Sequence, residues 1–400
     1  MPATAHAGSC ATPESPSVGI VGAGIGGLTL AAALGQAGFR DVTVYERHEA
    51  GTAPGSNLVL SPNGTRVLRA LHLGEFLSRA RKPDAYVHRS GRSGFVLAHR
   101  PLGAFMEARY GAPEIIATRQ ALLEALATRC DRHGVVVRTS LPCTGVAQIA
   151  DGATLIAGSN EIRHDVVIGC DGAASAVRAN MGYPEMKSNT QGVIWTGACL
   201  DPSLPASLRV NAITTWLGPG AYLTHWPSAD GNAVAFLGFA RNPGSDANLT
   251  DVFRGWHDDV SLLVSSAAGV SRSAVADLEP IDHWYDRRVA LLGDAGHPVT
   301  PHLLQGASLA MEDAWVLSRM LERWEDDPAK GFADYERYRK VRLRRFQQGQ
   351  WRHVAELTAE TGAPAWRRNL RLSLTSRFLP EIAMQRLDWL YGYDCIKGFE

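Results

Sequence analysis

The chain has no charge excess, no closely paired cysteines and no long apolar run, and each absence removes a class of protein. Lys+Arg and Asp+Glu both number 40 in 400 residues, so formal net charge is zero. A nucleic-acid footprint needs a basic excess, so the balance argues against nucleic acid as a partner. The six cysteines, Cys10, Cys130, Cys143, Cys170, Cys199 and Cys395, form no CxxC pair. Their scatter argues against a disulfide scaffold and a metal site, and it points to a reducing cytoplasm. No stretch approaches the roughly 18 apolar residues of a membrane span. Residues 1–16 lack a charged start and a long apolar core, so they read as a disordered tail rather than a secretory signal. There is no internal repeat. What is present is 45 % hydrophobic residues, enough for a core of two domains or one composite domain.

Glycine is clustered where apolar runs meet. In "VGIVGAGIGGLTLAAAL" (18–34), the spacing Gly22-x-Gly24-x-x-Gly27 follows a strand pattern and opens a helix pattern. Gly22 permits a tight turn, Gly24 lets the backbone approach a pyrophosphate, and Gly27 lets the helix pack on the strand. The helix start around Ile25 and Gly26 offers bare N–H groups and partial positive charge. Glu46 ends a second strand (42–45), where a carboxylate accepts hydrogen bonds from a ribose, with Arg47 beside it. This is a β-α-β dinucleotide site that leaves NAD and FAD open. The alternative is a glycine-rich packing contact with Glu46 as a solvated charge.

Two later stretches repeat the strand–turn–helix pattern. "CDGAASAVR" (170–178) carries Asp171 and Arg178. "GDAGHPVTP" (293–301) puts Asp294 at a strand end, where ligands of α/β sheets bind, and a helix opens near Gln305, Gly306 and Ala307. Each aspartate is otherwise a turn or cap carboxylate. Residues 118–134 read as a helix, and "VAQIADGATLIA" (146–157) as a hairpin turning at Asp151-Gly152. From 191 to 280 alternating strands dominate, and beyond 288 the chain is helical and Arg-rich.

With all three motifs in this order, the sequence resembles the FAD-dependent aromatic hydroxylases (group A flavoprotein monooxygenases) of the salicylate hydroxylase and 3-hydroxybenzoate 6-hydroxylase type. "TRQAL" (118–122) and "WLYGYD" (389–394) add to the likeness, which spans about residues 17–396. It implies an α/β fold: a Rossmann-type FAD-binding domain (17–80, 110–185, 286–355) with an inserted β-sheet substrate domain (81–109, 186–285), like that of p-hydroxybenzoate hydroxylase. Residues 356–400 form a C-terminal helical segment. It implies non-covalent FAD, with NAD(P)H as transient co-substrate, O2, and a small aromatic or heteroaromatic substrate oxygenated through a flavin C4a-hydroperoxide. Gly22, Gly24, Gly27 and Glu46 would hold the ADP half, Arg119 the ribityl or phosphate region, and Asp294 the ribityl chain. Asp171 and Arg178 would shape the site. Pro301 would lie near the substrate, and Gln305–Ser308 would face the isoalloxazine. A soluble monomer or homodimer is expected.

The chain departs from the family at "PHLLQGAS" (301–308), where Leu304 replaces a glycine, Ser308 an asparagine, and His302 an asparagine or threonine. His302 and His225 are the candidate bases for a phenol proton; His225 is otherwise a structural histidine within the sheet. Alternation puts Leu223 and His225 on one strand face and Tyr222, Thr224 and Trp226 on the other, without saying which meets the flavin. Trp195 and Trp216 are candidates to stack on the substrate, against the alternative of plain core. Tyr391 and Tyr393 are further candidate lining residues, and His297 a buttress. The stretches 191–199, 211–218, 220–227 and 232–240 contain no arginine. That favours a neutral phenol, a heteroaromatic ring or a larger natural product, unless Arg92 or Arg109 reaches the pocket. The Arg-rich run 335–352 reads as a solvated helix face. Rival readings are an NAD-linked dehydrogenase, a flavin halogenase (no GWxWxIP segment occurs), Baeyer–Villiger or N-oxygenation on the same fold, and an FAD-bearing binding protein.

Overall fold

Val18–Val21, Val42–Tyr45 and Val166–Gly169 are short apolar runs buried at every residue. Such runs suit parallel strands covered on both faces. The computed structural model, which describes residues 15–49, 51, 57–183, 188–244, 246–278, 281–359, 361–378 and 380–399, joins them in one six-stranded sheet. Its order is Tyr285–Asp286, Val289–Leu291, Val166–Gly169, Val18–Val21, Val42–Tyr45, Val136–Arg138. All neighbours are parallel except the first pair. Helices Ile25–Ala37 and Gly306–Arg323 pack against each other on this sheet. Most of the expected N-terminal tail lies outside the described residues. The hairpin expected at Asp151-Gly152 turns one residue earlier, because Ile149 pairs with Gly152, and Asn160–His164 adds a third strand.

A second, seven-stranded sheet runs Ala268–Leu278, Ser188–Cys199, Val234–Ala240, Ala221–Pro227, Ala212–Gly218, Ala85–Ser90, Val96–Pro101. Its pairs are antiparallel except Ala212–Gly218 with Ala85–Ser90. Both faces are covered. On one, Tyr222, Trp226, Leu237 and Phe239 join the core that continues into the first sheet. On the other, Trp195, Trp216, Leu223 and Phe236 form a separate core with Phe253, Val260 and Leu263. That assignment decides which side chains reach a ligand.

The C-terminal third is helical: Pro328–Leu357, Ala363–Phe378, Pro380–Gln385 and Asp388–Tyr391. The run 335–352 is not one solvated face. Arg339 and Arg342 are buried, Arg337 and Arg344 are exposed, and Arg345 and Arg352 line a cavity. Among the described residues, no helix is long and apolar enough to cross a membrane.

Candidate active site

The three motifs meet along one cleft of about 730 Å³ between the two sheets. Gly22 has φ +104°, and a Cβ there would sit 2.5 Å from the Cys170 carbonyl. A Cβ on Gly27 would lie 2.0 Å from the Gly22 carbonyl, so only glycine lets this helix sit so close to its strand. At Gly24 nothing lies within 4 Å of an added Cβ, and Gly24, Ile25 and Gly26 line the cleft. The helix opening there has no side-chain cap and no acid in its first turn. Its N–H groups are left for a phosphate. Glu46 accepts from the Ala23 N–H at 2.8 Å and the His48 N–H at 3.0 Å. Both oxygens keep lone pairs for ribose hydroxyls. Arg47 is exposed and donates to His48.

Farther along, Arg119 and Asp294 line the cleft with Pro301, Leu304, Gly306 and Ala307. Thr118 caps the helix that starts at Arg119 and so orients it. Asp294 opens onto the cleft, yet surrounding protein pushes its carboxyl up. Asp171 is a cap: it accepts from the Ala176 and Val177 N–H groups. Arg178 donates to the carbonyls of Ala295 and Ala173, tying this loop to the Asp294 turn. Both therefore shape the site. Gln305 turns away from the cleft: it donates to Ser61 Oγ at 2.8 Å and accepts from Asn63 at 3.0 Å. Ser308 is fully buried, and a Cβ on Gly64 would lie 2.6 Å from its Oγ. Gly306 and Ala307, not these two residues, line the cleft.

Asp313 anchors this end. Its Oδ2 lies 2.7 Å from His297 Nε2 and 3.3 Å from the Gly293 N, and its Oδ1 2.6 Å from Arg339 Nε. Beside it, Glu312 accepts from Asn63, Arg339 and Arg342. Burial pushes both carboxyls up, but the facing cations outweigh it and hold both below the ordinary range. His297 is thus a buttress of the Asp294 turn.

Next to the cleft, sharing Val59, Leu237 and Leu304 with it, is a narrow cavity with about 40 Å³ of free space. We call it the ring cavity. Its floor carries Tyr86 and Thr224, which Thr215 behind them links by hydrogen bonds of 2.9 and 2.8 Å. Its walls include Arg100, Glu114, His302, Leu304 and Tyr391. Arg100 Nε and Glu114 Oε2 are buried without a hydrogen-bond partner. Burial alone pushes Glu114 up to about 8. His302 Nδ1 lies 2.6 Å from Tyr222 Oη, while Nε2 is buried and unpartnered. Burial, then His353, pulls His302 down to about 3, so it is neutral and a weak base.

Several sequence expectations need correction here. His225 lies on the opposite sheet face, stacked on Trp216 at 6.3 Å, and burial pulls it down to about 3. Trp195 and Trp216 belong to that second core. None of the three lines the cleft or the ring cavity, because helix Asp258–Ser265 covers their face. Tyr391 lines the ring cavity, whereas Tyr393 packs on Arg342 at 4.1 Å. Arg92 is exposed, and Arg109 forms a two-pronged pair with Asp388. Arg100 and Glu114 were not among the sequence candidates. The arginine-free strands were only part of the sheet, and Val96–Pro101 adds Arg100 at its edge. For Glu114 the signal was an acid heading the apolar run Ile115–Ala117.

Comparison with known proteins agrees with this geometry. Residues 15–348 match the FAD binding domain family. The chain is 33 % identical to a 3-amino-4-hydroxybenzoate 2-monooxygenase of Streptomyces platensis, over 95 % of this chain and 96 % of the relative. It is 29 % identical to a 3-hydroxybenzoate 6-hydroxylase of Klebsiella oxytoca, over 95 % and 98 %. Among solved structures, Klebsiella pneumoniae HpxO with FAD and uric acid matches at TM-score 0.77 and 26 % identity, over 93 % and 97 % of the two chains. A salicylate hydroxylase substrate complex shares the fold at TM-score 0.76 and 19 % identity, over 96 % and 97 %. The uncapped helix start, the open space at Gly24 and the cleft-facing Asp294 fit a bound dinucleotide. The chain belongs to the FAD-binding family of flavoprotein aromatic monooxygenases.

Proposed function

We propose that the substrate is a hydroxylated aromatic acid, held by its carboxylate on Arg100 with its ring toward the flavin cleft, and that NAD(P)H is the reductant. The observation that carries this is Arg100, whose Nε is buried without a hydrogen-bond partner in the wall that the ring cavity shares with a neighbouring cavity. A desolvated guanidinium without a hydrogen-bonding partner favours a carboxylate over a neutral phenol. The relatives are named for aromatic acids, which supports the same class. The chemistry that bound FAD supplies is reduction by NAD(P)H and activation of O2 for transfer of one oxygen atom to the ring.

The protein's share is orientation, water exclusion and proton handling. In the tautomer where Tyr222 donates to His302 Nδ1, the buried, unpartnered Nε2 carries the proton and is left to donate to a substrate oxygen. Such a donor in a dry cavity stabilises a phenolate and enriches the ring carbons. His302 therefore acts as donor rather than as the base expected from the sequence. Glu114, neutral near pH 7, offers a second hydrogen bond to an amino, hydroxyl or ring-nitrogen substituent. The free cysteines among the described residues suit a reducing cytoplasm.

The test is FAD-loaded enzyme with NADH and NADPH, oxygenated product measured across paired aromatic acids and their decarboxylated phenols. An acid from this panel should be hydroxylated with stimulated NAD(P)H oxidation. Arg100→Gln should raise its KM by about 10- to 100-fold, or ~1.4–2.7 kcal/mol, and leave the matching phenol unaffected. Equal loss on acid and phenol would sink the assignment of Arg100.

A further inference from the structure

Beyond the ring cavity, on the side away from the flavin cleft, lies a second cavity of about 530 Å³. The two share Arg100, Leu303, His353 and Leu387, so those side chains are the partition between them. The outer cavity is strongly basic. Arg345, Arg352, Arg371 and Arg386 line it with Arg100. Its one lining carboxylate, Glu356, is paired with Arg371. Arg345, Arg352 and Arg386 are exposed, and none has a carboxylate partner among the described residues. Burial holds Arg100 below its ordinary pKa, partly offset by Tyr86, Glu356 and Tyr391, and Arg386 adds a smaller downward push. His353 is pulled down to about 4 by burial and adds no positive charge near pH 7.

Unbalanced positive charge around a concave, low-dielectric wall concentrates anions and speeds their arrival. A single ring carboxylate on Arg100 would use one of these guanidiniums and leave three without a role. The flavin cleft cannot serve as an equivalent route, since a bound dinucleotide would occupy it. We propose that this cavity is a transient outer binding site for the anionic aromatic substrate, and the portal from which it passes over Arg100 into the ring cavity. The inference rests on the aromatic-acid reading above. A nicotinamide dinucleotide is the less favoured occupant, because the ring cavity lies between this cavity and the flavin cleft.

The test uses FAD-loaded enzyme, with binding followed by flavin absorbance in stopped flow. The probes are 3-amino-4-hydroxybenzoate and 3-hydroxybenzoate, with 2-aminophenol and phenol as their neutral counterparts. In Arg345→Gln/Arg352→Gln the association rate of the acids should fall about 5- to 10-fold at low salt, with dissociation within twofold. The two enzymes should converge at about 0.5 M salt, where screening is nearly complete. The neutral counterparts should not distinguish them. Arg92→Gln/Arg132→Gln, which removes two exposed charges elsewhere, should behave as wild type. Unchanged association of the acids would overturn the portal, as would an effect confined to dissociation, or one seen as a raised KM for NAD(P)H. If no acid perturbs the flavin or is hydroxylated, the substrate reading itself fails, and with it the portal.

Discussion

Glu114 enters the ring cavity as a neutral group at pH 7, because burial pushes its carboxyl from an ordinary 4.5 up to about 8. The folded state therefore binds this proton more tightly than the unfolded chain does. The associated stability is fully present below about pH 4.5 and is lost as pH rises through 8. Glu114→Gln removes the dependence while keeping shape. The melting temperature of the variant relative to wild type should climb from pH 5 to about pH 8 and level off above it. Parallel melting curves across that range would mean the carboxyl is solvated. In the same window, wild-type KM for an aromatic acid should rise as Glu114 ionises, since two buried anions then share one cavity. Arg100 was not legible in the sequence, and Glu114 left only the faint mark of an acid heading an apolar run, for a shared physical reason. Each owes its character to a distant wall, and residues 86–116 carry only short, mixed strand signals. The opening glycines were legible because their work is local. Gly22 meets Cys170, but the turn it permits is set by its own φ.

At the scale of elements, the turn Pro301–Leu304 and the helix Gly306–Arg323 decide how closely the two cavities are separated. Leu304 adopts φ +55°, ψ 33°, the left-handed region where a glycine costs nothing. A leucine there bears ~1–2 kcal/mol of backbone strain. Its side chain faces both the cleft and the ring cavity. Leu304→Gly relieves the strain but gives up that wall and adds unfolded-chain entropy, so net stability should move by less than about 1 kcal/mol. The functional change should be larger. With the wall gone, water reaches the flavin edge, and the fraction of NAD(P)H oxidation that yields hydroxylated product should drop at least twofold. Tight coupling in the variant would show that Leu304 does not guard the boundary. At this scale, alternation read from the sequence sorted Tyr222, Thr224 and Trp226 correctly from His225. It could not say which set faces inward. That depended on residues 249–265 covering the far face, a contact that leaves no mark on the strand itself.

Across the whole molecule, one buried ion network joins the flavin end of the cleft to the C-terminal segment. Glu312 and Asp313 sit on the helix Gly306–Arg323, and Arg339 and Arg342 on the helix Pro328–Leu357. Asp313 supports the Asp294 turn through Gly293 and His297, while Arg342 donates to the carbonyls of Trp389 and Leu390. Arg66 does the same for Tyr391 and Tyr393, so the wall bearing Tyr391 is clamped by two guanidiniums. The sequence showed these arginines as a run but not their partners, which lie about a helix away in the chain. Removing one member should cost more than the pair contributes, because it leaves carboxylates buried and uncompensated. Arg339→Met should lose ~3–5 kcal/mol, and Glu312→Gln/Asp313→Asn in the same background should recover part of it. Both carboxyls are held below their ordinary range in the fold. Their stabilisation is therefore present above the unfolded values near pH 4 and is lost as pH falls through the lower folded ones. Since the same groups brace the FAD cleft, acidification below about pH 4 should release FAD and unfold the chain together. Flavin fluorescence and tryptophan fluorescence would report one shared transition in wild type, shifted to higher pH in Arg339→Met. Release of FAD well above the pH of unfolding would show that the cleft and the network are independent.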